Sequence, residues 1–297
     1  MQRYFILLIF CLGFGQINWE IEIVDTVINS PTEYEFQHTL IVDTAGLPHI
    51  VYNKMGFSEL IYTTKLNDNW FRATIDSGLF YACPTLASDK NGRLHCSYYR
   101  VVGQTAYLTY AYRNSGEWIK VTVDSIFGIL TNWWFTKYFY TEIETDTFGH
   151  PGIVYVSWNP LDSLFYIKYI HYNGVNWNSS VVEYDTVWAG HLIPSDWSAN
   201  LEINSHNKPL IAFHQIYSGP GNDTIKLAYW SDSLQGWVVE PVVCNPYGGA
   251  AISMVLNNQD YPYIAHGVDM GLYCTWWDGT AWQSEYTGID IGWLIFL

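Results

Sequence analysis

"DTAGLPHIVY", Asp43 to Tyr52, is a polar four-residue turn followed by an apolar, β-branched run. Asp and Gly suit a tight reversal, and Ile, Val and Tyr suit a pleated, half-buried surface, so the stretch reads as a turn feeding a strand. The arrangement returns in "DKNG" from Asp89, "DTFG" from Asp146, "NSHN" from Asn204 and "NNQD" from Asn257. Two residues beyond each turn stands Pro48, Leu94, Pro151, Pro209 or Pro262, and six before the turn's last residue stands Leu40, Leu86, Ile143, Leu201 or Met254. These are five copies of one hairpin.

A second anchor is as regular. An apolar residue is followed ten positions later by Trp in every copy: Leu60 and Trp70, Leu108 and Trp118, Ile167 and Trp177, Leu227 and Trp237, Leu272 and Trp282. Turn-rich stretches such as "YRNSGEW" and "WDGTAW" lie between them. Each repeat therefore reads as strands A and B joined by a polar turn, a variable link, and strands C and D joined by a second turn, with Trp opening strand D. Units of 46 to 58 residues made only of strands cannot bury both faces alone and must stack on neighbours. The expected fold is all-β, a β-propeller of four-stranded blades. The recurrent Trp, with ~150 to 250 Å² of surface to bury, is expected to wedge between blades.

The ends bear on closure. "NWEIEIVD" repeats the strand D pattern, since Trp19 precedes Asp25 by the interval that separates Trp70 from Asp76 and Trp118 from Asp124. "GIDIGWLIFL" stops where another strand A would begin. The expectation is five full blades plus partial strands of a sixth at the termini, in a chain truncated at its C-terminus. A five-bladed ring with a surplus strand is the alternative. Residues 1–15, with one Arg and an apolar run from Tyr4 to Phe14, read as a cleaved secretory signal peptide, leaving 16–297 as a single propeller domain. Eleven apolar residues fall short of the roughly 20 that span a bilayer, so a secreted or cell-surface protein without membrane insertion is expected. Cys83, Cys96, Cys244 and Cys274 then remain, with no C-x-x-C spacing, and read as buried free thiols.

With 13 basic and 28 acidic residues, the net charge of −15 repels a phosphate backbone, which excludes nucleic acid as an expected partner. Alternating strand direction puts the two fixed turns on one face of the ring and the two variable links on the other, where binding is expected. Long aromatic insertions there carry Trp133, Trp134, Tyr138, Trp158, Trp188, His191, Trp197, His214 and Tyr217. Aromatic faces beside amides and carboxylates suit sugars, although such residues also cap cores. The innermost strands of the third and fourth repeats add Glu142, Glu144 and Glu202. Carboxylates near the axis are costly to bury alone, so they are expected to face the channel or to pair with Lys137 or Lys168.

The D-x-x-G-x-P-H-I and G-x-x-W elements resemble the repeats of secreted bacterial propellers of the sialidase-like or BNR-repeat kind, and those of tandem-repeat propeller lectins. The resemblance spans the chain after residue 15. Sialidase likeness would imply three convergent Arg on a substrate carboxylate. Beyond the leader only Arg72, Arg93, Arg100 and Arg113 occur, all in the first two repeats, so no such triad is expected. No G-x-S-x-G, H-E-x-x-H, P-loop or dinucleotide motif is present. The turn acids, Asp43, Asp89 and Asp146, read as turn-stabilising side chains rather than calcium ligands, so neither metal nor cofactor is expected.

The sequence thus suggests a binding module for a glycan. The alternatives are a glycoside hydrolase or lyase using Glu142, Glu202 and Asp196, and a scaffold for contacts with a surface protein.

Overall fold

The computed structural model describes residues 3–11, 18–27, 38–54, 58–78, 80–128, 140–162, 164–186, 199–215, 223–245, 252–268 and 271–290. Strand β1 (Arg3–Cys11) pairs with β2 (Asn18–Val27) in a two-stranded antiparallel sheet. Five four-stranded antiparallel sheets follow. The first holds β3 (His38–Val42), β4 (Pro48–Lys54), β5 (Glu59–Leu66) and β6 (Asn69–Ser77). The second holds β7 (Phe80–Ser88), β8 (Leu94–Val102), β9 (Thr105–Asn114) and β10 (Glu117–Phe127). The third holds β11 (Thr141–Thr145), β12 (Pro151–Asn159), β13 (Leu164–Tyr172) and β14 (Trp177–Thr186). The fourth holds β15 (Ala199–Ile203), β16 (Pro209–Gln215), β17 (Asp223–Ser231) and β18 (Gly236–Asn245). The fifth holds β19 (Ile252–Leu256), β20 (Pro262–Val268), β21 (Gly271–Trp277) and β22 (Trp282–Asp290). Within every sheet the strands lie in chain order, A to D. The first strands of neighbouring sheets pack on one another, β3 on β7, β7 on β11, β11 on β15 and β15 on β19, which is the blade arrangement of a propeller.

The recurrent turn has one chemistry throughout. In each copy Oδ1 of the first residue accepts the backbone N–H groups two and four positions on, as Asp89 does from Asn91 and Arg93 at 2.8 and 2.9 Å. Asn204 and Asn257 do the same with their amide oxygens. The last residue of the turn is left-handed, glycine in three copies, while Asn207 and Asp260 adopt φ of 60° and 62°. Neighbouring turns are also joined: Thr147 donates to Asn207, and Ser205 to Asp260.

The repeated Trp residues wedge between blades. Trp118 packs edge-on against Tyr62 of the preceding blade, Trp177 against Tyr110 and Trp237 against Tyr169, with ring centroids 5.2 to 5.5 Å apart. Five residues after Trp, a bulge puts an extra apolar residue into strand D: Ile75, Val123 and Val182 interrupt the C to D register. The bulge re-aims the following carboxylate across the blade boundary. Asp76 thus accepts from Tyr98 and Lys120, Asp124 from Tyr155 and Lys168, and Glu183 from Lys226. The β1–β2 pair carries the same bulge at Val24, and Asp25 accepts from Tyr52 and Lys54 of the first blade. By register and partners β2 is a strand D, and β1 stands beside it where a strand C would.

Among the described residues Cys83 and Cys96 are buried, but Cys274 is only half-buried and Cys244 exposed. Burial therefore holds for two of the four. Among the described residues no helix is long and apolar enough to cross a membrane.

Candidate functional site

The innermost strands are short, and their alternation sets what the ring axis meets. In β11, Thr141 and Ile143 are buried between blades while Glu142 and Glu144 keep partial solvent exposure. In β15, Ala199 and Leu201 are buried, and Asn200 and Glu202 occupy the positions of Glu142 and Glu144. Two carboxylates at one level and an amide–carboxylate pair at the other therefore meet at the junction of the third and fourth blades.

Hydrogen bonds hold this cluster. Glu142 accepts from the Tyr140 hydroxyl on one oxygen and from Asn200 Nδ2 at 3.1 Å on the other. Asn200 also accepts the Met254 backbone N–H at 2.9 Å, so one amide links the inner strands of three blades. Burial raises Glu142 to about 8, the Tyr140 and Asn200 bonds opposing and the neighbouring Glu144 and Glu202 charges adding to the rise. Burial, with the Glu144 charge, raises Glu202 to about 7. Glu144 is also raised, mainly by burial. Near neutral pH the cluster thus retains protons that isolated carboxylates would have lost, and it can both donate and accept hydrogen bonds.

The sequence leads one to expect that these acids face the channel or pair with Lys137 or Lys168; Lys137 lies outside the described residues, and Lys168 pairs elsewhere. Lys168 is 3.3 Å from Asp124, the carboxylate that follows the bulge in the second blade's strand D. Tyr140 and Asn200 take its place. The four arginines beyond the leader are likewise committed elsewhere: Arg72 to Asp25, and Arg93, Arg100 and Arg113 over the rings of Tyr112, Tyr107 and Tyr62.

Two residues expected on the aromatic face fall in described strands. Trp158, near the end of β12, is half-buried with its ring centroid 4.7 Å from that of Phe165, against the core of the third blade. His214, near the end of β16, is buried, because strand B is covered by blades on both sides, and this departs from the exposed position expected for it. Burial and the nearby His214 hold His266 below the ordinary histidine range. Trp133, Trp134, Tyr138, Trp188, His191, Trp197 and Tyr217, together with Asp196 and Lys137, lie outside the described residues. Sequence reasoning missed Asn200 and Tyr140. Asn200 was findable, since it is polar at a repeat position where Glu142 stands one blade earlier; Tyr140 lies before its strand and carried no signal.

Five four-stranded blades whose first strands pack on one another in succession define a β-propeller. No protein-family model and no curated protein sequence matches the chain. Among solved structures it is similar to the six-bladed fungal lectin of Aleuria aurantia, described for its fucose recognition, at 12% identity and a TM-score of 0.51 over 86% of this chain and 80% of that one. It is also similar to an α-L-arabinanase of Penicillium chrysogenum complexed with arabinobiose, at 10% identity and a TM-score of 0.55, covering 86% and 82% of the two chains. An α-L-arabinofuranosidase of Fusarium graminearum with an iminosugar inhibitor gives 14% identity and a TM-score of 0.53 over 87% and 83%. At these identities the likeness is one of fold.

Proposed function

We propose that this propeller binds a glycan at the axial junction of its third and fourth blades, with the variable-link face supplying aromatic contacts. The observation that carries the reading is the Glu142, Glu144, Glu202 and Asn200 cluster, whose mixed donors and acceptors suit sugar hydroxyls. The fold likeness to a fucose-recognising lectin and to arabinan-acting enzymes supports a carbohydrate ligand. A glycan array with the full chain, beside Glu142→Gln and Asn200→Ala variants, tests it. Saturable binding weakened at least tenfold in both variants is expected, and undiminished binding in both would remove the axial site.

One observation favours a second reading. Glu142, raised to about 8 beside two further carboxylates, has the protonation of a general acid. Release of reducing sugar from arabinan or fucosylated glycans, abolished in Glu142→Gln, would make the protein a glycoside hydrolase; binding without turnover would leave it a lectin.

Export is a separate part of the proposal: residues 1–15 act as an apolar leader whose removal takes β1 away and leaves β2 as a lone strand D, which N-terminal sequencing of the protein recovered from culture medium would test. Recovery with Met1 retained would oppose it.

A further inference from the structure

On the opposite face of the ring, we propose that Asp146, His150 and His171 form a binding site for a divalent transition-metal ion of the Zn2+ type. The repeat supplies an internal comparison. In the first two blades the residue six after the turn acid is histidine, and one imidazole meets one carboxylate. His49 Nε2 is 3.2 Å from Asp43 Oδ2, and His95 Nε2 is 3.6 Å from Asp89 Oδ2. The other ring nitrogen bonds Tyr62 or Tyr110. In the third blade that position is Gly152, where a Cβ would stand 2.4 Å from the Tyr169 hydroxyl. Tyr169 fills the space, and two histidines from different elements turn to the acid instead.

His150 Nδ1 comes from the end of the turn and His171 Nε2 from β13, at 3.3 and 3.4 Å from the same oxygen, Asp146 Oδ2. All three ligand atoms lie within 4.8 Å of one another. Ligand atoms held ~2.1 Å from a tetrahedral metal stand about 3.4 Å apart, a spacing both imidazole nitrogens have from Asp146 Oδ2, and what sets the third blade apart is that two imidazoles meet the acid where the first two blades supply one. The carboxylate is positioned in advance, because Asp146 Oδ1 accepts the backbone N–H groups of Phe148 and His150 and leaves Oδ2 available. The imidazoles are held by aromatic neighbours, His171 stacked on Tyr169 and His150 edge-on to Tyr172. Both histidine side chains are nearly a third exposed, so an ion can enter and keep solvent on its remaining positions. Two imidazoles and one carboxylate match Zn2+ better than Ca2+ or Mg2+, which take oxygen ligands.

Titration of the metal-free full chain with Zn2+ by calorimetry, and with Co2+ by its visible ligand-field absorption, tests the site. One equivalent is expected, with affinity at least tenfold weaker in His150→Gln, His171→Gln and Asp146→Asn. The Asp146→Asn variant retains the turn, as Asn204 and Asn257 show, so its loss of binding would not be a folding failure. His95→Gln, altering the second-blade equivalent, should bind as the parent does. Absence of one-to-one binding, or an affinity unchanged by His150→Gln and His171→Gln, would overturn the proposal.

Discussion

Asn200 Nδ2 donates to Glu142 Oε1 across 3.1 Å, and the same side chain accepts the Met254 N–H, so one amide ties three innermost strands together. Replacing it with Ala leaves both partners short of a bond at the axis. A loss of about 2 kcal/mol is expected from urea unfolding, since orphaned buried polar groups cost roughly 1–3 kcal/mol each. The Glu142 pKa should rise further, because that bond is one of those holding it down. NMR titration of the Glu142 carboxyl would read the shift.

The axial acids make stability depend on pH. Folded Glu142 and Glu202 titrate near 8 and 7, against an ordinary 4.5. Between those values the folded state holds protons the unfolded chain has released, so their contribution is complete below about pH 4.5 and is lost as pH rises through about 8. The urea midpoint should therefore fall between about pH 5 and pH 8.5, and Glu142→Gln, which mimics the protonated acid, should flatten that fall. An equally steep fall in the variant would assign the dependence to other groups.

The blade boundary should be sensitive at Trp177, whose ring packs edge-on against Tyr110 of the preceding blade and tilted against Tyr172. Trp177→Ala is expected to cost about 3 kcal/mol, the low end for truncating a large aromatic residue, because the ring is only half-buried. Chemical denaturation measures it. A cost below about 1 kcal/mol would mean that the wedge contributes little beyond filling space.

At the second-blade turn, Asp89→Ala removes the acceptor for two backbone N–H groups, and Asp89→Asn retains it. The Ala variant should lose roughly 1–3 kcal/mol and the Asn variant clearly less. Thermal unfolding of the pair separates hydrogen bonding from charge. Equal losses would show that the carboxylate's charge, beside His95, matters more than the turn bonds.

Much of this architecture is legible in the chain because its rules are local. An Asp or Asn three residues before Gly, Asn or Asp closes the same turn wherever it falls, since the bonds involve only its own backbone. Trp at a fixed interval marks strand D, and the acid six residues later marks the bulge, which is how β2 is recognisable from "NWEIEIVD".

The repeat, the strand order and the two faces of each blade all follow from spacing along one segment. Which groups share a site depends instead on how the blades pack. Asn200 and Glu142 are 58 residues apart and belong to different blades, and their meeting depends on how inner strands stack around the axis. Lys168 was equally plausible as a partner for the axial acids, but the strand D bulge aims Asp124 at it instead. His171 likewise meets Asp146 in the blade where Tyr169 occupies the space over Gly152. Periodicity records what a residue does within its own hairpin, whereas these contacts arise between strands whose proximity no spacing encodes.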